Sequence, residues 1–146
     1  METEVIANIM LAQAVLVEKN KLHILGGGCD RFKQGDSQAI GVLVQAPWSR
    51  DIQRFRWDLS LFDADGNRVT ARMGGKRGPV TVEDEIAIRP EPELLPGSRI
   101  KVAFQVSLGL APFETGRYVW QFSIDGVQKE EWMLPFSLAA ASPDLS

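Results

Sequence analysis

The sequence predicts an all-β protein, in which eight or nine strands form a two-layer antiparallel β-sandwich that is immunoglobulin-like or similar. Apolar and polar residues alternate along most of the chain, which is the pattern of strands that bury one face. Turn residues recur about every 8–12 positions, and no segment is clearly helical. A closed β-barrel is the alternative arrangement of the same strands.

The length of the chain suggests one domain. A chain of 146 residues buries enough surface to fold around its own core without a disulfide or a metal. We expect residues 1–138 to form this single domain. Residues 139–146 are small and polar, and we expect them to fray as a C-terminal tail.

The alternation places the strands one by one. In chain order we predict strands at residues 5–17, 21–25, 39–45, 54–61, 69–73, 80–88, 99–108, 117–124 and 132–138. The run 5–17 fits a helical stripe as well as a strand, because its alanines favour one and its β-branched residues the other. We prefer a strand, since residues 21–25 look like its hairpin partner across residues 18–20. Three glycines at 26–28 then end the hairpin.

The middle of the chain continues the same rhythm. Residues 39–45 are apolar on both faces, which indicates a central strand, and Pro47 ends it. The next strand runs into turn residues at 63–67. Residues 69–73 give a weaker return strand, and we predict a loop at 74–79.

The later strands carry the clearest pattern and one exception to it. Along 99–108 every second residue is apolar, from Ile100 to Leu108. Along 80–88 the same pattern is broken by Asp84, which falls on the apolar side. A sheet edge or a local bulge accounts for it, or an ion pair, because a buried carboxylate needs a partner.

The last hairpin allows a register prediction. A two-residue turn at Asp125-Gly126 would pair the apolar residues of one strand with the polar residues of the next. A three-residue loop, or a bulge of equal effect, corrects this and places Trp120 opposite Trp132. The same register places Tyr118 opposite Leu134.

The aromatic residues mostly follow the apolar phase of their strands. We therefore predict that Trp57, Trp120 and Trp132 belong to the core. Tyr118 begins a late strand just after Gly116. This position is typical of the tyrosine corner of immunoglobulin-like sandwiches, in which the hydroxyl bonds to an upstream backbone group, although an ordinary core aromatic also fits.

The chain offers few groups for chemistry. His23 is its one histidine and Cys29 its one cysteine, which excludes an internal disulfide and leaves too few ligands for a transition-metal site. We expect His23 on the polar face of its strand and Cys29 as a small, partly buried residue after a turn. We predict no catalytic residue, no metal and no cofactor, and a protein that is not an enzyme.

Charge and hydropathy limit the classes of partner that the protein could have. The net charge is −3, which argues against a nucleic-acid binder. Residues 50–77 contain seven Lys or Arg and four Asp or Glu, whereas residues 78–146 contain five and ten. This uneven charge indicates either solvated strand faces or a surface with two poles, which would favour self-association or an acidic partner. The apolar run 5–17 is too short for a membrane span and has no basic residue before it, so the predicted location is cytoplasmic, without membrane contact.

Five residues are candidate contacts for a partner or ligand. Arg68, Arg72, Lys76 and Arg77 form a basic stretch without an intervening acid. This stretch is either a solvated edge strand or a patch for an anion or an acidic partner. Trp48 lies in a loop, where it either caps one end of the sandwich or contacts a partner.

Several short motifs together carry a resemblance to a known family. They are residues 11–14, 21–28, 47–48, 116–126 and 132–136. As a set they resemble an uncharacterised bacterial family of small, single-domain proteins, a domain of unknown function. The likeness covers nearly the whole chain. It implies a β-rich fold and supplies no catalytic residue.

Two functional hypotheses follow. The first is a non-enzymatic β-sandwich that binds or scaffolds another protein, with a homodimer as one possible form. The alternative is a sandwich that binds a small ligand or glycan at the loop end near Trp48.

Overall fold

The computed structural model of the protein describes residues 5–141 and forms strands without any helix in that range. The predicted all-β class is confirmed. The strands are β1 (Ile6–Ala12), β2 (Ala14–Glu18), β3 (Lys21–Leu25), β4 (Arg31–Lys33), β5 (Ser37–Ala46), β6 (Gln53–Asp63), β7 (Thr70–Met73), β8 (Lys76–Pro79), β9 (Thr81–Ile88), β10 (Ile100–Gly109), β11 (Gly116–Ile124) and β12 (Val127–Ala139).

The described residues therefore form twelve strands, more than the eight or nine predicted. The first apolar run divides into β1 and β2 at Gln13. The short β4 pairs with β12 in parallel over three residues. The loop predicted at 74–79 was wrong in part, because residues 76–79 form β8 and pair with β7. The turn between those two strands is confined to Gly74-Gly75, where both glycines have positive φ.

The strands form two larger sheets and two ribbons. One sheet has the order β4-β12-β11-β6-β9 and the other β1-β5-β10, while β2-β3 and β7-β8 pair as separate ribbons. Side chains of both larger sheets belong to one buried core, for example Val42 from β5, Leu59 from β6 and Phe122 from β11. Phe104 and Leu134 pack against the same core.

Two buried hydrogen bonds join these sheets. The indole Nε1 of Trp120 donates to Oε1 of Gln38 at 2.8 Å, and the indole of Trp132 donates to the carbonyl of Ala7 at 3.0 Å. The core positions predicted for Trp57, Trp120 and Trp132 are confirmed, since each is less than a tenth exposed.

The β2-β3 hairpin explains why β5 is apolar on both faces. One face of β5 lies in the core, and Gly41 on the other face lies under the hairpin side chains Val15, Leu22 and Ile24. The central position predicted for β5 is confirmed, because β1 and β10 flank it. The hairpin itself is also confirmed, with a two-residue turn between Glu18 and Lys21.

The three-residue loop predicted for the last hairpin was wrong, and the strand irregularity offered as its alternative is present. Ile124 pairs directly with Val127 across a two-residue turn, and Asp125 and Gly126 both have positive φ. This turn is held from β6, because Asp125 N donates to the Arg56 carbonyl and Arg56 N donates to Asp125 Oδ1.

An irregularity between Gln121 and Ser123 then restores the pairing of apolar with apolar residues, as the argument from alternation required. The predicted partners were nevertheless wrong by two residues. Trp120 lies opposite Leu134 instead of Trp132, and Tyr118 opposite Phe136 instead of Leu134.

Of the residues singled out for their chemistry, Asp84 and His23 lie on strands and Cys29 lies in the loop between β3 and β4. Asp84 is exposed on β9, an edge strand, which confirms the sheet-edge interpretation. His23 is exposed on β3, 3.9 Å from Glu18, and Cys29 is partly buried and donates to the Arg31 carbonyl.

Two further observations concern the ends of the chain and the membrane. No helix within residues 5–141 is long and apolar enough to cross a membrane. The predicted tail began at residue 139, which is the last residue of β12. Residues 142–146 of that tail lie outside the described residues.

Candidate functional site

A cleft of about 680 Å³ lies between the β7-β8 ribbon and the loop that joins β10 to β11. We call it the arginine cleft, because Arg68, Arg72 and Arg77 line one wall and Arg117 lines the other. All four side chains belong to exposed residues. The cleft therefore has a guanidinium group on each side and is open to solvent.

The ribbon wall is placed by an Asp-based turn. Asp63 Oδ1 accepts hydrogen bonds from the backbone nitrogens of Asp65 and Asn67, both at 2.9 Å. This arrangement is a β-turn of the kind that aspartate favours, and its carboxylate oxygen is used inside the turn. The chain then returns along β6, with Val69 N bonded to the Leu61 carbonyl.

The two arginines of the ribbon are direct neighbours. The tight turn at Gly74-Gly75 makes Arg72 and Arg77 Cα partners in the β7-β8 ladder. Like charges directly opposite each other on neighbouring strands are destabilising. Among the described residues, neither guanidinium lies within ion-pair distance of a carboxylate. An anion placed between them would relieve this repulsion.

Acidic residues neutralise part of the positive charge of the cleft. The guanidinium of Arg68 lies over the Phe62 ring, 5.6 Å from its centroid. Arg117, at the start of β11, has no carboxylate within ion-pair distance in the described part of the chain. Three acidic residues also line the cleft, namely Asp63, Asp65 and Glu114. Four guanidinium groups therefore face three carboxylates, one of which is held in its own turn.

Tyr118 holds the second wall in place. Its hydroxyl donates to the Glu114 carbonyl at 2.6 Å, which is the upstream backbone bond expected for a tyrosine corner. Its ring stacks on Phe136 at 5.5 Å and lies 6.3 Å from the ring of Phe113. Burial raises the pKa of Tyr118 above its usual value, and the carboxylates of Glu114 and Asp63 raise it further. The hydroxyl therefore remains protonated and bonded at neutral pH.

The structure brings together three of the five predicted contact residues. Lys76 lies on β8 as the Cα partner of Met73 and does not line the cleft. Trp48 lies in the loop after β5, half-buried, with the Arg50 guanidinium 5.8 Å from its ring centroid.

Sequence reasoning missed Arg117. In the sequence it is one polar residue of an alternating strand, 40 positions from Arg77. It reaches the cleft because β11 pairs with β6, with Tyr118 opposite Asp63 at the start of the turn. Only the pairing of distant strands reveals this proximity.

The chain shows a second cleft of similar size, about 690 Å³, near the β2-β3 turn. Lys19, Lys21 and Lys101 line it together with Arg99, which donates to the Gln45 carbonyl. Within residues 5–141 no group of three or more His, Cys, Asp or Glu side chains is arranged to hold a metal ion.

Comparisons with known proteins give distant structural likeness. No protein-family model and no curated protein matches the chain. An alkylpurine DNA glycosylase from Pseudomonas fluorescens aligns at 9% identity and a TM-score of 0.48, over 90% of this chain and 30% of its own. A β-glucosidase from Listeria innocua aligns at 11% identity and a TM-score of 0.48, over 94% of this chain and 16% of its own. The chain thus spans less than a third of either protein, and membership of the bacterial family remains a prediction.

Proposed function

We propose that the protein is a non-enzymatic, cytoplasmic interaction module that binds an acidic segment of another protein in the arginine cleft. The observation that carries this proposal is the convergence of four arginines on one cleft, none of which has an ion-pair partner among the described residues. The scaffold we propose is a two-layer immunoglobulin-like sandwich. The shared core of the larger sheets and the Tyr118 corner support it.

The chemistry of the cleft favours carboxylates on an extended chain. A guanidinium presents a planar fork of donors that pairs with a carboxylate through two hydrogen bonds. Arginines are also enriched among the residues that dominate binding energy at protein interfaces. The two walls are built from different parts of the chain, so a bound segment would contact β7-β8 on one side and β11 on the other.

The test is the binding of a fluorescently labelled peptide rich in Asp and Glu, measured by anisotropy. We expect Arg72→Gln with Arg77→Gln to weaken binding at least tenfold, since a hydrogen bond to a charged group contributes about 1.5–3 kcal/mol. Near-ultraviolet circular dichroism of the tryptophans checks that the variant is folded.

The second basic cleft supplies a control that is matched in charge. Lys21→Gln with Lys101→Gln removes the same two positive charges from a different surface. We expect this variant to bind the peptide within about twofold of the unmodified protein, because screening limits long-range effects. Equal weakening by both double variants, or no binding of the peptide at all, would refute the proposal.

The alternative function, binding of a small ligand or glycan near Trp48, has weaker support. An aromatic platform for a sugar needs a free ring face. The Arg50 side chain lies over the Trp48 ring, and the residue is half-buried. Tryptophan fluorescence of the unmodified protein across a glycan panel tests this alternative, with Trp48→Ala as the control. A change on adding a glycan that the variant does not show would support it.

A further inference from the structure

A second surface is found at the free edge of β10. Within residues 5–141, β10 pairs with β5 on one side and with no strand on the other. Asn20, in the β2-β3 turn, occupies the start of this free edge. Its Oδ1 accepts from Ala103 N at 2.8 Å, and its Nδ2 donates to the Lys101 carbonyl at 2.6 Å. The side-chain amide thus makes the two bonds that a neighbouring strand would make.

The Asn20 bonds also identify which backbone groups face outward. In an antiparallel pair, alternate residues direct their N–H and C=O groups toward the partner strand and away from it. Since Lys101 and Ala103 face away from β5, and the β5-β10 register continues without a shift to Gly109, Gln105 and Ser107 also face away. Residues 105–109 therefore present an edge that another strand can extend.

The other edges of the larger sheets are protected. β9 carries Glu83, Asp84 and Glu85 in succession, and charges on an edge oppose strand addition. On β1, the Ala7 carbonyl is taken by the Trp132 indole and the Leu11 carbonyl by Gly28 N. β4 has three residues. The β10 edge from residue 103 to 109 contains neither a charge nor a proline.

We propose that this edge binds a second copy of the chain, with residues 105–109 of the two copies paired antiparallel about a two-fold axis. An axis at Ser107 places Ser107 opposite its own copy and Gln105 opposite Gly109. The outward-facing backbone groups then meet each other, and the ladder adjoins β10 beyond the bonds that Asn20 already makes.

The side chains favour a second copy over a different protein. Val106 and Leu108 are half-buried on the core side of β10. With the axis at Ser107, Val106 of one copy would lie opposite Leu108 of the other, so both side chains would gain cover. No like charges oppose each other across the axis, because the stretch is uncharged. A charged segment of another protein finds no opposite charge on these seven residues.

The predicted interface is short. Five residues per copy place it below ~1,200 Å² of buried surface, the range of weak and transient contacts. We therefore expect a monomer–dimer equilibrium that shifts with concentration. Sedimentation velocity over a wide concentration range measures it.

Two variants test the geometry. Ser107→Pro removes the outward N–H at the axis, and proline is tolerated on an edge strand, so we expect a folded protein that stays monomeric. Ser107→Lys places two positive charges opposite each other at the axis, so we expect it to be monomeric as well. This variant keeps the proposal testable if the proline variant does not fold. Ser107→Ala removes the hydroxyl hydrogen bond to Gln105 and keeps the backbone donor, so it should dimerise as the unmodified protein does.

Hydrogen exchange provides a second measurement. The amides of Gln105, Ser107 and Gly109 should exchange more slowly as the concentration rises, whereas amides on the β9 edge should not change. A monomer at every concentration, or dimerisation of Ser107→Lys equal to that of the unmodified protein, would overturn the proposal. Peptide binding at the arginine cleft is measured separately and does not depend on this edge.

Discussion

Tyr118 shows how a single side chain links the core to the candidate site. It is the one tyrosine of the chain, with its ring against Phe136 and its hydroxyl bonded to the Glu114 carbonyl. Because that carbonyl belongs to the loop that forms one wall of the arginine cleft, the bond fixes the wall to β11. The position of Tyr118 after Gly116 suggested this upstream bond, but an ordinary core aromatic fitted the sequence as well, and the structure shows the bond.

We expect the pKa of Tyr118 in the folded protein to lie above its usual value of 10.0, with burial as the largest cause. The sign for stability follows from linkage. The folded state binds the phenolic proton more tightly than the unfolded state, so the contribution is complete below pH 10.0 and is lost as the pH rises through the folded pKa. Ultraviolet absorbance of the tyrosinate measures this single group in the folded protein and in urea.

Tyr118→Phe is the control for this measurement. It should abolish the tyrosinate signal and reduce the alkaline loss of stability, while lowering the free energy of unfolding at neutral pH by about 1 kcal/mol, the contribution of one hydrogen bond. Equal midpoints in the folded and urea-unfolded protein would show that burial does not affect the phenol.

Between elements, the alternation of the sequence determined which faces of β11 and β12 meet, but it did not determine which residue lies opposite which. A period of two requires that apolar residues of β11 face apolar residues of β12, and they do. It cannot distinguish Trp132 from Leu134 as the partner of Trp120, because the two differ by one full period. The deciding contacts come from β6, whose Arg56 backbone holds Asp125 in a two-residue turn.

The β2-β3 hairpin gives a prediction at this scale. Gly41 lies in the interior of β5, where glycine costs about 0.5–1 kcal/mol relative to alanine. A Cβ there would lie 3.5 Å from side-chain carbons of Leu22 and Val15, which is ordinary contact distance. We expect Gly41→Ala to raise the free energy of unfolding by up to about 1 kcal/mol, measured by urea denaturation.

Gly41→Leu provides the contrast. Its larger side chain would push the hairpin away from β5 and should destabilise the protein by about 1–3 kcal/mol, the usual effect of overpacking. If both variants were equally stable, the hairpin would not rest on β5.

At the scale of the whole molecule, the sequence predicts only the part of the candidate site that is local along the chain. Arg68, Arg72 and Arg77 were predicted as a group because they are close along the chain. Arg117 joins them through the pairing of β6 with β11, which brings Tyr118 opposite Asp63. Alternation predicts that each strand has two faces, but it does not determine the order of strands in a sheet.

The two larger sheets are also joined by polar groups inside their shared core. Gln38 and Trp120 are both fully buried, and the Gln38 Oε1 accepts from the indole at 2.8 Å. The Nε2 atom of Gln38 has no partner among the described residues. The pair therefore joins β5 to β11 and leaves one buried donor unsatisfied. The cost of burying that donor offsets part of the stability that the hydrogen bond contributes.

A double-mutant cycle measures this link between the sheets. Gln38→Leu leaves the indole donor buried without a partner, and we expect it to lower the free energy of unfolding by about 1–3 kcal/mol. Trp120→Phe removes the donor and leaves a cavity and an unpaired amide. We expect it to lower the free energy of unfolding by more than Gln38→Leu does, up to about 3–5 kcal/mol, which is what truncation of a buried Trp to Ala costs. The double variant should lose less than the sum of the two, by about 1 kcal/mol or more, because neither polar partner remains. Strict additivity in chemical denaturation would show that the bond does not couple the sheets.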